Sequence, residues 1–376
     1  MDDPATTLVI VFLRGGADGL SLVPPIADDA YHRARPTLRV KREDAIDLDG
    51  RFGLHRDLAP LEAHFREGRL AIVHGAGSQD GTRSHFEAQD FMEHGGPLGG
   101  GWLARYLRAR GPSPSALAAV AIGSIEPESL RGAPSGAVIQ SISEFGVGQD
   151  DPTMVQRLER LYAATGGPLG AAGAATIEAM RKLGALRRQA NEEARARTSE
   201  RGASRGRGRD YPDTPFGRGM REIATLIRAD LGVVATTIDM IGGGLGWDTH
   251  FVQGQAMPAL RRELGEGIDA FWSDLESHRE RVTLVVMTEF GRRVRENTSL
   301  GTDHGAGSVM LVMDEAHGAT PFTGGTVHSG WRDLTDSNLL GPGDVPVTTD
   351  YRAVLAPILQ RHAPGIALAS VFPGLP

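Results

Sequence analysis

The sequence contains no cysteine. That absence removes disulfides, zinc–thiolate sites, iron–sulfur clusters and thiol nucleophiles together, so any metal must be held by His, Asp and Glu. It leaves the redox compartment open. Long apolar runs are missing too: the stretch 8–13 has six residues, too few to span a membrane. The start, 1–7, is short and acidic and lacks the basic flank of a signal peptide. As written the chain therefore carries no export address and reads as cytoplasmic, or as periplasmic or secreted if a leader preceded it. An excess of positive charge is absent as well. The formal net charge is −7 and the pI about 6.0, so no field is available to hold a phosphate backbone and no nucleic-acid partner is expected.

What is present is globular in character: 40% hydrophobic and 23% charged residues, in a length of 376 that suits one large α/β domain with insertions. The 50 glycines, without a collagen period, imply many tight turns. Residues 7–13 form a continuous apolar, β-branched run, as a strand buried on both faces requires. Similar runs at 70–74, 117–122, 137–140, 233–240, 282–287 and 309–313 predict further strands. Helical patterns occupy 58–67, 84–93, 101–110, 177–197, 217–229, 255–278 and 350–361. Strand and helix alternate, which predicts a mainly parallel sheet with helices on both faces. Residues 198–215, rich in Arg, Gly and Ser, read as a flexible insertion remote from any site rather than as a nucleic-acid tail, within a single domain spanning 1–376.

Chemistry-bearing residues follow the apolar runs, where α/β folds place ligands. Asp18 lies in Gly15-Gly16-Ala17-Asp18-Gly19, either aimed at the sheet edge or serving as a turn residue. Asp248 and His250 stand two residues apart, a pair suited to a divalent ion or to a polar surface loop. Glu289 ends the clearest strand, and Asp303-His304 stands among glycines. Together these make a metal site. Ser84, with Glu87 three residues on, has the pattern of a capping box. The same position at a helix N-terminus also suits a nucleophile, with Thr82 as its rival and Arg83 and His85 as donors to an anion.

The chain resembles an uncharacterised bacterial family, the domain of unknown function numbered 1501, within the alkaline-phosphatase and sulfatase superfamily. The resemblance rests on the segment Phe12 to Gly19, on Arg83-Ser84-His85-Phe86-Glu87-Ala88-Gln89-Asp90, and on Gly101-Trp102-Leu103. It continues through Trp247-Asp248-Thr249-His250, Thr288-Glu289-Phe290-Gly291-Arg292, Gly301-Thr302-Asp303-His304-Gly305 and Thr348-Thr349-Asp350-Tyr351-Arg352. It implies a three-layer α/β/α sandwich and usually two metal ions, one orienting a Ser or Thr nucleophile and the other binding the substrate oxygen. Asp18, Ser84, Asp248 and His250 match the family pattern. Where relatives end the late strand in Asp-His, this chain has Glu289-Phe290. The resemblance then assigns Glu289 with Asp18 to one metal, and His304 with Asp248 and His250 to the other. Asp303 becomes a ligand or the partner of one.

The expected activity is metal-dependent hydrolysis of a small anionic phosphate or sulfate ester. Ser84 attacks, one or two divalent ions (Zn, Mn, Ca or Mg) stabilise charge, and Arg83, His85 or Arg292 holds the anion. A noncatalytic scaffold or secretion-associated protein with a degenerate site, and a phosphotransferase or mutase, are the alternatives. The ligands Asp18, Asp248, His250, Glu289 and His304 are expected to converge at the carboxyl ends of the strands with Ser84 in reach. Without a cation, their carboxyls are expected to titrate high through mutual repulsion.

Overall fold

The longer apolar runs become strands because both of their faces are covered. A computed structural model describes residues 6–113, 115–142, 152–199, 210–244, 246–315 and 321–375. The strands are β1 (Thr7–Leu13), β2 (Ala45–Asp47), β3 (Gly53–His55), β4 (Leu70–Gly77), β5 (Ala119–Ile122), β6 (Ala137–Ile139), β7 (Ala235–Met240), β8 (Val282–Met287), β9 (Ser308–Asp314), β10 (Val327–Ser329) and β11 (Thr349–Asp350). Nine of them form one sheet in the order β10-β4-β9-β8-β1-β7-β5-β6, with β11 also pairing β4. β2 and β3 form a separate antiparallel pair.

Within the main sheet only β9 runs against its neighbours; the other described pairings are parallel. The reversal has a topological consequence. The N-terminus of β9 lies at the same sheet edge as the carboxyl ends of β1, β4, β7 and β8, so residues just before β9 meet residues just after the others.

Alternate residues of β1 enter different cores. Val9, Val11 and Leu13 join one cluster, where the helix Pro215–Arg228 contributes Phe216, Met220 and Ile223, and the helix Gln253–Asp274 contributes Leu264, Ile268 and Phe271. Leu8, Ile10 and Phe12 join the opposite cluster with Trp102, Leu103 and Tyr106 of Trp102–Arg110, and Val354, Leu355 and Ile358 of Tyr351–His362. A sheet apolar on both faces between two helical layers is a three-layer α/β arrangement.

Helix ends follow local chemistry. Thr214 caps Pro215–Arg228 by accepting from Gly217 N, with Pro215 at the first position, where no donor is lost. The predicted helix at 58–67 is instead a 3-10 segment, Arg56–Leu61, followed by the short helix Glu62–Arg66. His55 caps it, accepting from Asp57 N at 3.0 Å. The helices Pro152–Thr165 and Gly167–Ser199 extend what the sequence pattern placed at 177–197. Of the expected insertion at 198–215, residues 200–209 lie outside the described residues. Beyond them Tyr211 is buried and its hydroxyl donates to Asp274 at 3.0 Å. Among the described residues no helix is long and apolar enough to cross a membrane.

Two imidazoles are enclosed in this scaffold. His74 on β4 accepts from Trp331 Nε1 at 3.2 Å, so its Nε2 carries the proton donated to the Val23 carbonyl at 3.1 Å. His362 sets Nε2 2.8 Å from Thr283 Oγ1. Burial pushes each down from 6.5 to about 3. The unfolded chain therefore takes up protons near pH 6.5 that the folded chain refuses until about pH 3, and stability present above 6.5 is lost as pH falls through this window. Urea unfolding at pH 7 and pH 5 is expected to differ by roughly 2 kcal/mol for each imidazole, and His362→Asn should flatten the slope. An equal slope in the variant would show that other groups carry it.

Candidate metal centre

Five chain segments deliver side chains to the shared sheet edge. β1 exits into the glycine turn, β4 leads to the helix His85–His94, β7 leads to Asp248 and His250, β8 to Glu289 and Arg292, and His304 precedes β9. Close backbone approach is required for these loops to meet. Gly15 has φ +123°, and a Cβ there would fall 2.7 Å from Asp248 N; at Gly301 one would fall 2.2 Å from the His250 carbonyl carbon. Only glycine fits either place.

Two imidazoles are fixed by the same device. His304 Nδ1 lies 2.8 Å from the Arg83 carbonyl, which can only accept, so Nδ1 carries a proton and Nε2 is the ring atom turned to the cluster. His85 Nδ1 faces Glu289 Oε1 at 2.8 Å. Its Nε2 is buried without a hydrogen-bond partner and stands 3.4 Å from Asp248 Oδ1. Asp248 Oδ1 is also 3.2 Å from His304 Nε2, 3.1 Å from His250 Nε2 and 2.6 Å from an Arg292 nitrogen. His250 Nε2 and His304 Nε2 are 2.8 Å apart. The ligand atoms of His85, Asp248 and His304 all fall within 4.8 Å of one another. Three borderline and hard donors so placed can hold a divalent cation.

The remaining predicted residues surround this cluster in other roles. Glu289 is fully buried, and its Oε1 accepts from His85 Nδ1, Gln89 Nε2 at 2.8 Å and Gly15 N at 2.9 Å, so it orients His85 from behind. Asp303 Oδ1 is 3.6 Å from His250 Nδ1 and accepts from Asn297 at 3.1 Å. Arg292 is buried and spends its guanidinium on the carbonyls of Gly15, Gly16 and Thr302 as well as on Asp248. Arg83 turns its guanidinium to Asp344. Ser84 is half-buried at the N-cap of His85–His94 and makes no side-chain cap hydrogen bond. The expected capping box is replaced: Thr82 Oγ1 accepts from Ser84 N at 3.2 Å and donates to Glu87 at 2.6 Å.

Asp18 does not join the cluster. Its carboxylate is buried against Arg35 at 2.5 and 3.0 Å and also accepts from Ser21 and Gln253 at 2.5 Å. Three of these contacts fall on Oδ2 and one on Oδ1, and Arg35 supplies the positive charge that an ion would, so the pairing of Asp18 with Glu289 around one metal is not what the geometry forms.

The expectation of raised carboxyl titrations is also reversed. Burial raises Asp248, but His304, His85 and Arg292 outweigh it and hold its carboxyl far below the usual range. Burial raises Glu289 too, and donation from His85 and Gln89 brings it below its ordinary value. Donors, rather than other carboxylates, stand next to each acid. Asp248 and then Glu289 raise His85 to about 9, whereas burial and Arg292 lower His250. Gln89, Gln253 and Arg35 escaped the sequence reading; Gln89 stands one helical turn after His85 and could have been found from that spacing.

A family model described as a protein of unknown function, DUF1501, matches residues 132–364. The matched stretch carries Asp248, His250, Glu289, Arg292 and His304; Ser84 and His85 precede it. No curated protein and no solved structure matches the chain.

Removing the Asp18 carboxylate would leave the Arg35 guanidinium buried and unpaired. Asp18→Ala is expected to lose about 3–5 kcal/mol in denaturant unfolding. A loss below about 1 kcal/mol would show that the pair does not hold the β1 turn in place.

Proposed function

The chain belongs to the DUF1501 family, and we propose that it is a metal-dependent hydrolase of a phosphate or sulfate ester, akin to the alkaline-phosphatase superfamily in fold and chemistry. The observation that carries this reading is the pair of imidazoles fixed through Nδ1. Each aims an Nε2 at the Asp248 carboxylate, and that of His85 is buried with no partner. A buried unpartnered nitrogen is costly, and a cation removes the cost.

His85, Asp248 and His304 would hold one divalent ion, and His250 would complete the set. Such an ion supplies positive charge for the oxygen that becomes anionic as an ester is cleaved. The rest falls to the chain. Ser84 stands between Arg83, whose carbonyl fixes His304, and His85. Its hydroxyl, not used as a cap, is the proposed nucleophile at phosphorus or sulfur. The N-terminus of the helix His85–His94 favours the anion at that point. Glu289 and Gln89 keep His85 oriented, while Arg292 keeps Asp248 in place. The alcohol leaves with the serine's proton, and water then releases the anion and restores Ser84.

Metal analysis after equilibration with Zn, Mn, Mg or Ca is expected to find one ion per chain, lost in His304→Ala. Two ions per chain would overturn the single-site reading. On a panel of phosphate and sulfate esters, Ser84→Ala should lower kcat by roughly 1,000-fold or more, and Thr82→Ala far less. Binding of the ion without turnover on any ester would favour a noncatalytic protein. Transfer to an added alcohol in preference to water would favour a transferase.

A further inference from the structure

Beside the cluster lies a cleft of about 1090 Å³, bounded by residues 30–34, 293–298 and 334–343. Asp303 lines it and also stands 3.6 Å from His250 Nδ1, so the cleft and the centre share a wall. The cleft is lined by Arg33, Arg293 and Arg295.

These guanidiniums are poorly satisfied. Among the described residues Arg33 and Arg295, both exposed, have no ion pair or hydrogen bond. Arg293 lies 3.5 Å from Asp303 and 3.9 Å from Asp344, and its Nε is buried without a hydrogen-bond partner. The carboxylates of the cleft are largely engaged elsewhere. Glu296 holds the backbone N–H groups of Thr37 and Leu38 and the Thr37 hydroxyl, and Asp303 is held by Asn297; Asp336 is exposed.

The backbones that carry the two free arginines are cross-linked. Glu296 N donates to the Ala34 carbonyl at 3.1 Å, which places Arg295 and Arg33 next to one cross-link. Buried Arg35 fixes the neighbouring backbone through the carbonyls of Arg293 at 2.9 Å and Val294 at 2.8 Å. A cleft with unspent planar donors on a cross-linked backbone suits tetrahedral oxyanions, which guanidinium binds in bidentate fashion.

We infer that this cleft binds a second anionic group of the substrate, a phosphate or sulfate other than the one cleaved, so that the preferred substrate is a bis-anionic ester. The word substrate rests on the hydrolase reading above; the anion site itself does not. The cleft is larger than a lone phosphate needs, and Asp303 joins its wall to His250 of the centre.

The test uses the full chain in EDTA with inorganic tripolyphosphate as probe, read by calorimetry. Binding is expected to weaken about tenfold in Arg33→Ala, further in Arg33→Ala/Arg295→Ala, and not at all in His304→Ala. It should also fall as salt rises. Both arginines are exposed, and unchanged urea midpoints confirm that the variants fold. No binding by the parent chain, or equal binding by the double variant, overturns the inference. In the ester panel, kcat/KM for a bisphosphate over its monophosphate should drop about tenfold or more in the double variant, with monophosphate turnover unchanged. Hydrolysis without preference for the bis-anionic ester overturns this inference and keeps the hydrolase reading. Arginine-dependent tripolyphosphate binding without hydrolysis of any ester supports the anion site and refutes that reading.

Discussion

One guanidinium, that of Arg292, holds the sheet edge together. It donates to the Gly16 carbonyl at 2.7 Å, to Gly15 at 2.6 Å, to Thr302 at 2.9 Å and to Asp248 Oδ1 at 2.6 Å. Those acceptors come from the loops after β1 and β7 and the segment before β9, while Arg292 itself follows β8. Burying a charge without counter-charge is costly. Here one carboxylate and several carbonyl dipoles meet it, in a fork that lysine could not reproduce. The loops that bring these distant residues together are tied by this donor, alongside the packing of Ala17, Trp247 and Val294 into the core.

The strand pattern was open to reading because a sheet covered on both faces writes itself as unbroken apolar runs. Thr7–Leu13 and Val282–Met287 appear at the predicted bounds. The small strands β2, β3, β10 and β11 carry no such signature, since two or three residues cannot show a period. The antiparallel direction of β9 was equally invisible, because an apolar run looks the same in either direction. Yet that direction brings His304 to His85, Asp248 and His250, and the position of His304 before a strand was readable although its meaning depended on topology.

The site was legible where residue type and spacing state the chemistry, and illegible where a partner arrives from far along the chain. Asp248, His250 and His304 are where an acid and two imidazoles beside glycines were expected. Asp18 was read from the same kind of signal, an acid in a glycine turn after a buried strand. Arg35, 17 residues on, changes its meaning by closing a buried ion pair over it. Nothing in the turn itself distinguishes an acid aimed at a cation from one aimed at a guanidinium. Glu289 illustrates the reverse case: a buried acid at a strand end does reach the cluster, but through the imidazole of His85.

The distribution of donors argues for one ion rather than two. A second cation would need acids not already neutralised, and each acid near the edge has a resident partner. Arg35 takes Asp18, and His85 and Gln89 take Glu289. Asn297 and Arg293 stand against Asp303. Asp248 alone faces several imidazole nitrogens at once, with His85 Nε2 unpartnered beside it. A proton shared among these imidazoles can hold the cluster together, but it satisfies them one at a time. A cation at their common focus meets all the lone pairs together and lets His85 keep its Nδ1 proton on Glu289. The partition of the acids between arginines and imidazoles therefore sets both where an ion would bind and how many would bind there.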